Sequence, residues 1–181
     1  MLVSRALVID DKESGRRALR AELEDAGFDV SVAGTAHGAL EKLASLDPSI
    51  VVTDFQMPGV DGVELVRRLR EFCVTPIVVI TAYDSPELRR RALETGATRV
   101  LDFNKDLDRV ATLAQQLVRE SSATRLPLSR DSIQKRERIL RQSSVEKVYL
   151  ECDGNVSETS RRLNRSRGSV RYQLKQLGID V

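Results

Sequence analysis

Three short aliphatic runs end in the same kind of chemistry, and this coincidence constrains the chain more than any other feature. Ile50-Val51-Val52-Thr53 leads into Asp54, Ala6-Leu7-Val8-Ile9 into Asp10-Asp11, and Ile77-Val78-Val79-Ile80 into Thr81. Apolar runs without polar alternation predict strands covered by helices on both faces, as in a parallel sheet. Parallel strands open their carboxyl ends onto one edge, where ligands bind in sheets of this class. Three carboxylates and one hydroxyl are therefore expected along a single rim, with Asp54 at its centre.

The intervening segments predict the covering helices. Residues 14–26 place Leu19 and Leu23 four apart and stop at Gly27. Asp29 to Ala33 alternates around Val30 and Val32 and reads as a strand, after which Thr35 can cap a helix over 36–46. Asp61 reads as the cap of a helix from Gly62 to Glu71, with Val63, Val66 and Leu69 as its stripe. Ser85-Pro86 opens a helix that Gly96 closes, Val100-Leu101 is a short strand, and Leu107 to Glu120 is a last helix. Five strand-helix repeats with short connections predict an α/β fold, a doubly wound five-stranded parallel sheet.

Charge divides the chain in two. The overall balance is +2, but residues before Thr124 carry 16 lysines and arginines against 20 acidic residues, and those after it 13 against 7. A basic tail of this size points to nucleic acid as a partner, ahead of an acidic protein or a membrane surface. No signal-peptide pattern is present, because Asp10-Asp11-Lys12 interrupts the first apolar run, and no run approaches the ~20 apolar residues of a membrane span. The two cysteines, Cys73 and Cys152, lack metal-type spacing. The expected location is the cytoplasm, with no membrane partner.

Asp10-Asp11, Asp54 followed by Met57-Pro58-Gly59 and Asp61-Gly62, and Thr81-Ala82, set in five strand-helix units, resemble the receiver domain of two-component response regulators. The resemblance covers roughly residues 4–120. It implies a flavodoxin-like sheet of order 2-1-3-4-5, phosphorylation of Asp54 by a histidine kinase, and a bound Mg²⁺. Asp11 and Asp54 would be direct metal ligands with the Gln56 backbone carbonyl, and Asp10 would orient a metal-bound water. Thr81 would hydrogen-bond the phosphoryl group. Mg²⁺ suits such a site because it takes oxygen ligands from one or two carboxylates plus water and phosphate.

The fifth strand departs from that pattern. Counting without gaps from Thr81 or Gly96 puts Phe103 where the family has a lysine, and Lys105 reaches the site only if the loop carries an insertion. Asp106 follows Lys105 in place of the usual proline, and Val100 stands at the family's aromatic position. The family often dimerises through its fourth helix, fifth strand and fifth helix, where Arg89, Glu94, Asp102 and Arg119 are candidates.

Residues 121–131, small and polar around Pro127, read as a linker between a receiver at 1–120 and a helical domain at 132–181. Residues 132–142 form one charged helix, and Ser143-Ser144-Val145-Glu146 has the spacing of a capping box that opens another. Asn155 and Glu158 cap a third helix to Leu163, and Ser166 caps a fourth from Arg167 to Leu177, closed by Gly178. Two short helices with a four-residue turn, the second basic, describe a helix-turn-helix at about 156–177. Val156, Leu163, Val170 and Leu174 would hold the pair, leaving Arg165, Ser166, Arg167, Ser169, Arg171, Tyr172 and Lys175 to face double-stranded DNA. The segment 143–180 resembles the Fis-type helix-turn-helix that closes many bacterial transcription regulators.

The chain thus reads as a homodimeric DNA-binding regulator rather than an enzyme. Two other readings stand beside it: a regulator working independently of phosphorylation, and an enzyme using Asp54 as a covalent phosphoryl nucleophile.

Overall fold

The computed structural model describes residues 4–57, 60–122, 130–176 and 179. Five parallel strands, β1 (Arg5–Ile9), β2 (Asp29–Ala33), β3 (Ile50–Asp54), β4 (Ile77–Thr81) and β5 (Arg99–Asp102), form one sheet in the order β2-β1-β3-β4-β5. The aliphatic runs fill it because β-branched side chains pack well on a pleated surface buried from both sides. Every residue of β4 is buried, and in β3 only Asp54 reaches partial exposure.

Alternation along the strands divides the core into two layers. Ala6, Val8, Ile50, Val52, Val78 and Ile80 pack on one face against Leu19 and Leu23 of helix α1 (Glu13–Asp25) and Val110, Ala114 and Leu117 of helix α5 (Val110–Ser122). On the other face Val79 and Val100 meet Val66 of helix α3 (Gly62–Phe72) and Ala92 of helix α4 (Pro86–Thr95). Helix α2 (Ala36–Leu46) starts at Thr35, whose side chain accepts from the Gly38 amide. The caps expected at Asp61 and Ser85 form in the same way, at 2.9 and 3.1 Å.

Arg70, near the end of α3, ties the amino-terminal edge of the sheet together. Its guanidinium donates to the carbonyls of Gly96 and Thr75 and to the Thr98 hydroxyl. Burial lowers its pKa from the ordinary arginine value. Gly96 closes α4 at φ 119°, and a Cβ there would meet the Arg70 stem, so both the left-handed backbone and the close approach call for glycine.

The chain separates into two compact units, Met1–Ile133 and Gln134–Val181. Helix α6 (Arg130–Glu151) runs unbroken through 22 residues. The separate helix expected from Ser143 therefore does not exist. Serine followed three residues later by an acid is compatible with a cap, but nothing between Gln142 and Val145 breaks a helix, so the backbone continues through both serines. The linker's central residues 123–129 and the closing Leu177-Gly178 lie outside the described residues.

Asp153 and Gly154, both at positive φ, end α6 and turn the chain into helix α7 (Val156–Arg162). Asn155 caps α7 by accepting from the amides of Ser157 and Glu158. Helix α8 (Arg167–Gln176) follows a four-residue turn, with the Ser166 hydroxyl accepting from the Ser169 amide at 3.2 Å. Val145, Val170 and Leu174 are buried at the centre of this unit, with Tyr149, Val156, Leu163 and Ile179 packed around them.

Candidate functional site

Register decides what gathers at the rim of the sheet. Ile9 lies opposite Thr53, so Asp10 emerges beside Asp54. Asp54 pairs with Ile80, which leaves Thr81 one step further out, and Thr81 in turn pairs with Asp102 of β5. Oxygens of Asp10, Asp11 and Asp54 all lie within 4.8 Å of one another. Asp10 is 4% exposed, and its carboxylate accepts from the Lys12 amide at 2.7 Å. Asp54 accepts from the Gln56 amide at 3.1 Å, which holds the loop after β3 against its carboxylate.

Burial pushes the Asp10 and Asp54 carboxyls above the ordinary range, and the neighbouring acidic groups push the same way. Lys12 acts in the opposite sense on both. Asp11 Oδ1 is buried with no hydrogen-bond partner. Three clustered carboxylates with one orphaned oxygen form a hard-oxygen donor set, and a small divalent cation such as Mg²⁺ fits it.

Asp54 and Asp10 open into a cavity of about 240 Å³ shared with Lys12, Thr81, Phe103 and Asn104. Thr81 is 1% exposed, and its hydroxyl accepts from the Tyr83 amide at 3.2 Å. A wider depression of about 710 Å³ adjoins it across Lys12 and is lined by Gln56, Tyr83 and Arg91. Pro58 and Gly59 of the sequence motif lie outside the described residues.

Lys105 does not enter this site. Its side chain is 78% exposed, and its ammonium pairs with Asp102 at 3.1 Å. Asp102 also caps a single helical turn, Phe103–Asp106, by accepting from the Asn104 amide. This tight turn starts directly after the strand and leaves no insertion to carry Lys105 inward. Phe103 and Asn104 take the cavity wall, with Phe103 packed against the core. Val100 is buried, and its carbonyl accepts from Arg89, which also pairs with Asp84 at 2.6 Å. Of the residues considered for a dimer contact, Arg89, Asp102 and Glu94, which pairs with Arg90 at 2.9 Å, are thus engaged within the chain.

Lys12 and Asn104 are site residues that sequence reasoning passed over. Lys12 was legible as the neighbour of Asp10-Asp11, whereas Asn104 required the register of β5.

In the carboxyl-terminal unit, Ser166, Arg167, Ser169, Arg171, Tyr172 and Lys175 are all exposed, Tyr172 by 62%. Arg167, Arg171 and Lys175 recur every four residues on α8 and form one basic stripe. Arg165 is half-buried and donates to the Gln173 side chain at 2.8 Å, so it braces the turn. Arg161 pairs with Glu158 and Arg162 with Glu151. Among the described residues no helix is long and apolar enough to cross a membrane.

Comparison with known proteins agrees with this geometry. The response regulator receiver domain family matches residues 6–115. The photosynthetic apparatus regulatory protein RegA of Rhodovulum sulfidophilum is 30% identical over 165 residues, covering 91% of this chain and 87% of its own length. The KDP operon transcriptional regulatory protein KdpE of Escherichia coli is 29% identical over 125 residues, covering 69% of this chain and 56% of its own length. Several larger relatives match only through a segment, this chain spanning 26–29% of their length. Among solved structures, a response regulator from Burkholderia pseudomallei with a phosphorylated aspartic acid, calcium ion and citrate covers 91% of this chain and 94% of its own. It is 25% identical, with a TM-score of 0.56. The match over residues 6–115, joined to a relative aligned along nearly the whole chain, makes this protein a member of the response regulators, with a receiver domain in its amino-terminal unit.

Proposed function

We propose that the protein is a transcriptional response regulator in which phosphorylation of Asp54 controls DNA binding by the α7–α8 pair. The observation that carries this reading is the cluster of Asp10, Asp11 and Asp54, with a buried orphaned oxygen on Asp11, beside a cavity that Asp10, Asp54 and Thr81 line.

An Asp54 carboxylate oxygen attacks the phosphorus of a histidine kinase's phosphohistidine. The new oxygen–phosphorus bond forms as the nitrogen–phosphorus bond breaks, and the imidazole leaves with the electron pair and takes a proton from solvent. Asp11 and Asp54 would hold the Mg²⁺ with the Gln56 carbonyl, and Asp10 would orient a water on it. When bound, the cation neutralises charge on the oxygens being transferred. Thr81, its hydroxyl fixed by the Tyr83 amide, hydrogen-bonds a phosphoryl oxygen, and Ala82 leaves room for it. The phosphorylated aspartic acid and calcium ion named for the Burkholderia protein support this assignment.

In the second unit, α7 and α8 act as a helix-turn-helix. Arg167, near the start of α8, suits a guanine edge, while Arg171 and Lys175 suit phosphates. A two-fold symmetric dimer pairs such units with a pseudo-palindromic site. The chain acts in the cytoplasm, and relatives named as transcriptional regulatory proteins support this output.

One observation favours a second reading, regulation independent of phosphorylation: Phe103 and Val100 stand where the family carries its lysine and aromatic residue. Acetyl phosphate with Mg²⁺, followed by acyl-phosphate detection and DNA-binding titrations of wild type and Asp54→Ala, separates the two. The switch predicts acyl phosphate on wild type alone and a change in DNA affinity that the variant lacks. Equal DNA binding by phosphorylated wild type and variant would establish the second reading.

A further inference from the structure

We propose that the Lys12 ammonium is the protein's cationic partner for the phosphoryl group on Asp54, the role that Lys105 does not reach. This inference rests on the reading of Asp54 as phosphoacceptor. An acyl phosphate brings about two negative charges to a rim that keeps two carboxylates, and one divalent cation leaves that sum negative. A further cation is therefore required within reach of the phosphoryl oxygens. Among the described residues that line the Asp54 cavity, Lys12 is the one cation. The other cations nearby are held elsewhere: Lys105 on Asp102, and Arg16 on the carbonyls of Asp10 and Asp11 at 2.8 Å each.

The backbone fixes where Lys12 stands. It is the residue before α1, in extended conformation, and its amide is bound to Asp10. Its Cα is thereby locked to one of the three carboxylates while its four-carbon stem remains exposed and able to swing. The side chain lines both the Asp54 cavity and the wider depression beside it. The positive charge thus approaches from the α1 side of the rim, across the cavity from Phe103.

Beryllofluoride, a non-covalent phosphoryl analogue, tests this with Mg²⁺ as the second probe, both measured by calorimetric titration of the full chain. Lys12→Ala should bind beryllofluoride at least tenfold more weakly than wild type, Lys12→Arg should recover most of the loss, and Lys105→Ala should match wild type. Mg²⁺ alone should bind Lys12→Ala as tightly as wild type or more so, since removing a positive charge eases entry of the metal. A merely structural role for Lys12 would weaken both ligands together, and that result overturns the proposal, as does beryllofluoride affinity unchanged in Lys12→Ala or equally lost in Lys105→Ala. Wild type that binds neither beryllofluoride nor a phosphoryl group from acetyl phosphate would instead overturn the phosphoacceptor reading itself.

Discussion

Gly15 lies so close beneath the Asp10 carboxylate that a Cβ on it would collide with Oδ2. In an ordinary helix, replacing glycine by alanine stabilises by about 1 kcal/mol. Here Gly15→Ala must displace a carboxylate of the proposed metal site, so the helix gains while the site loses. The expected outcome is a folded protein with at least tenfold weaker Mg²⁺ binding, measured by calorimetric titration. Wild-type affinity would show that Asp10 can move aside without leaving the site.

The carboxylate cluster sets a pH dependence for the metal-free protein. Asp10 and Asp54 carry pKa values raised above 3.8, chiefly by burial. A carboxyl whose folded pKa exceeds its unfolded value holds its proton more tightly in the fold. Its contribution to stability is therefore lost as pH rises from about 3.8 through the raised values. With chelator present, Asp54→Asn should melt at a higher temperature than wild type at neutral pH and show no such advantage below pH 3.8. Mg²⁺ at about one hundred times its Kd should stabilise wild type by about 2.7 kcal/mol and close the gap. A melting temperature that falls in Asp54→Asn at neutral pH would contradict this account.

Arg70 holds three acceptors with one guanidinium. Arg70→Ala leaves the Gly96 and Thr75 carbonyls and the Thr98 hydroxyl without that donor, and about 2–4 kcal/mol of stability should be lost. Lysine cannot span three acceptors with one compact ammonium, so Arg70→Lys should recover less than half of the loss. Urea denaturation followed by circular dichroism measures both.

The basic stripe on α8 makes a salt-dependent prediction. Removing Arg171 or Lys175 should lower the slope of log affinity against log salt by about 0.9 each, uniformly across DNA sequences. Arg167→Ala should instead cost about 1–3 kcal/mol at one base position and relax discrimination there. All three side chains are exposed, so thermal stability should stay within about 0.5 kcal/mol of wild type. Fluorescence anisotropy at several salt concentrations distinguishes these effects, and equal losses for all three substitutions would remove the distinction between base and phosphate contacts.

The strands, the caps at Thr35, Asp61, Ser85, Asn155 and Ser166, and the gathering of Asp10, Asp11, Asp54 and Thr81 at one rim were legible in the sequence. Each depends on a run of a few residues and on the period of a strand or helix, and parallel sheets deliver their strand ends to a common edge. The break expected at Ser143 was not legible, because a capping pattern permits a helix to start without forcing the preceding one to stop. Counting along the chain put Phe103 at the lysine position but left Lys105 open, and tertiary structure decided between them. The pairing of Thr81 with Asp102 and the tight turn that Asp102 caps turn Phe103 and Asn104 into the cavity and Lys105 out of it. The hydrogen bond from the Lys12 amide to the Asp10 carboxylate fixes the backbone from which the Lys12 stem reaches the rim on the β1 side. Both outcomes depend on register and on contacts between separate strands and helices, which no local pattern encodes.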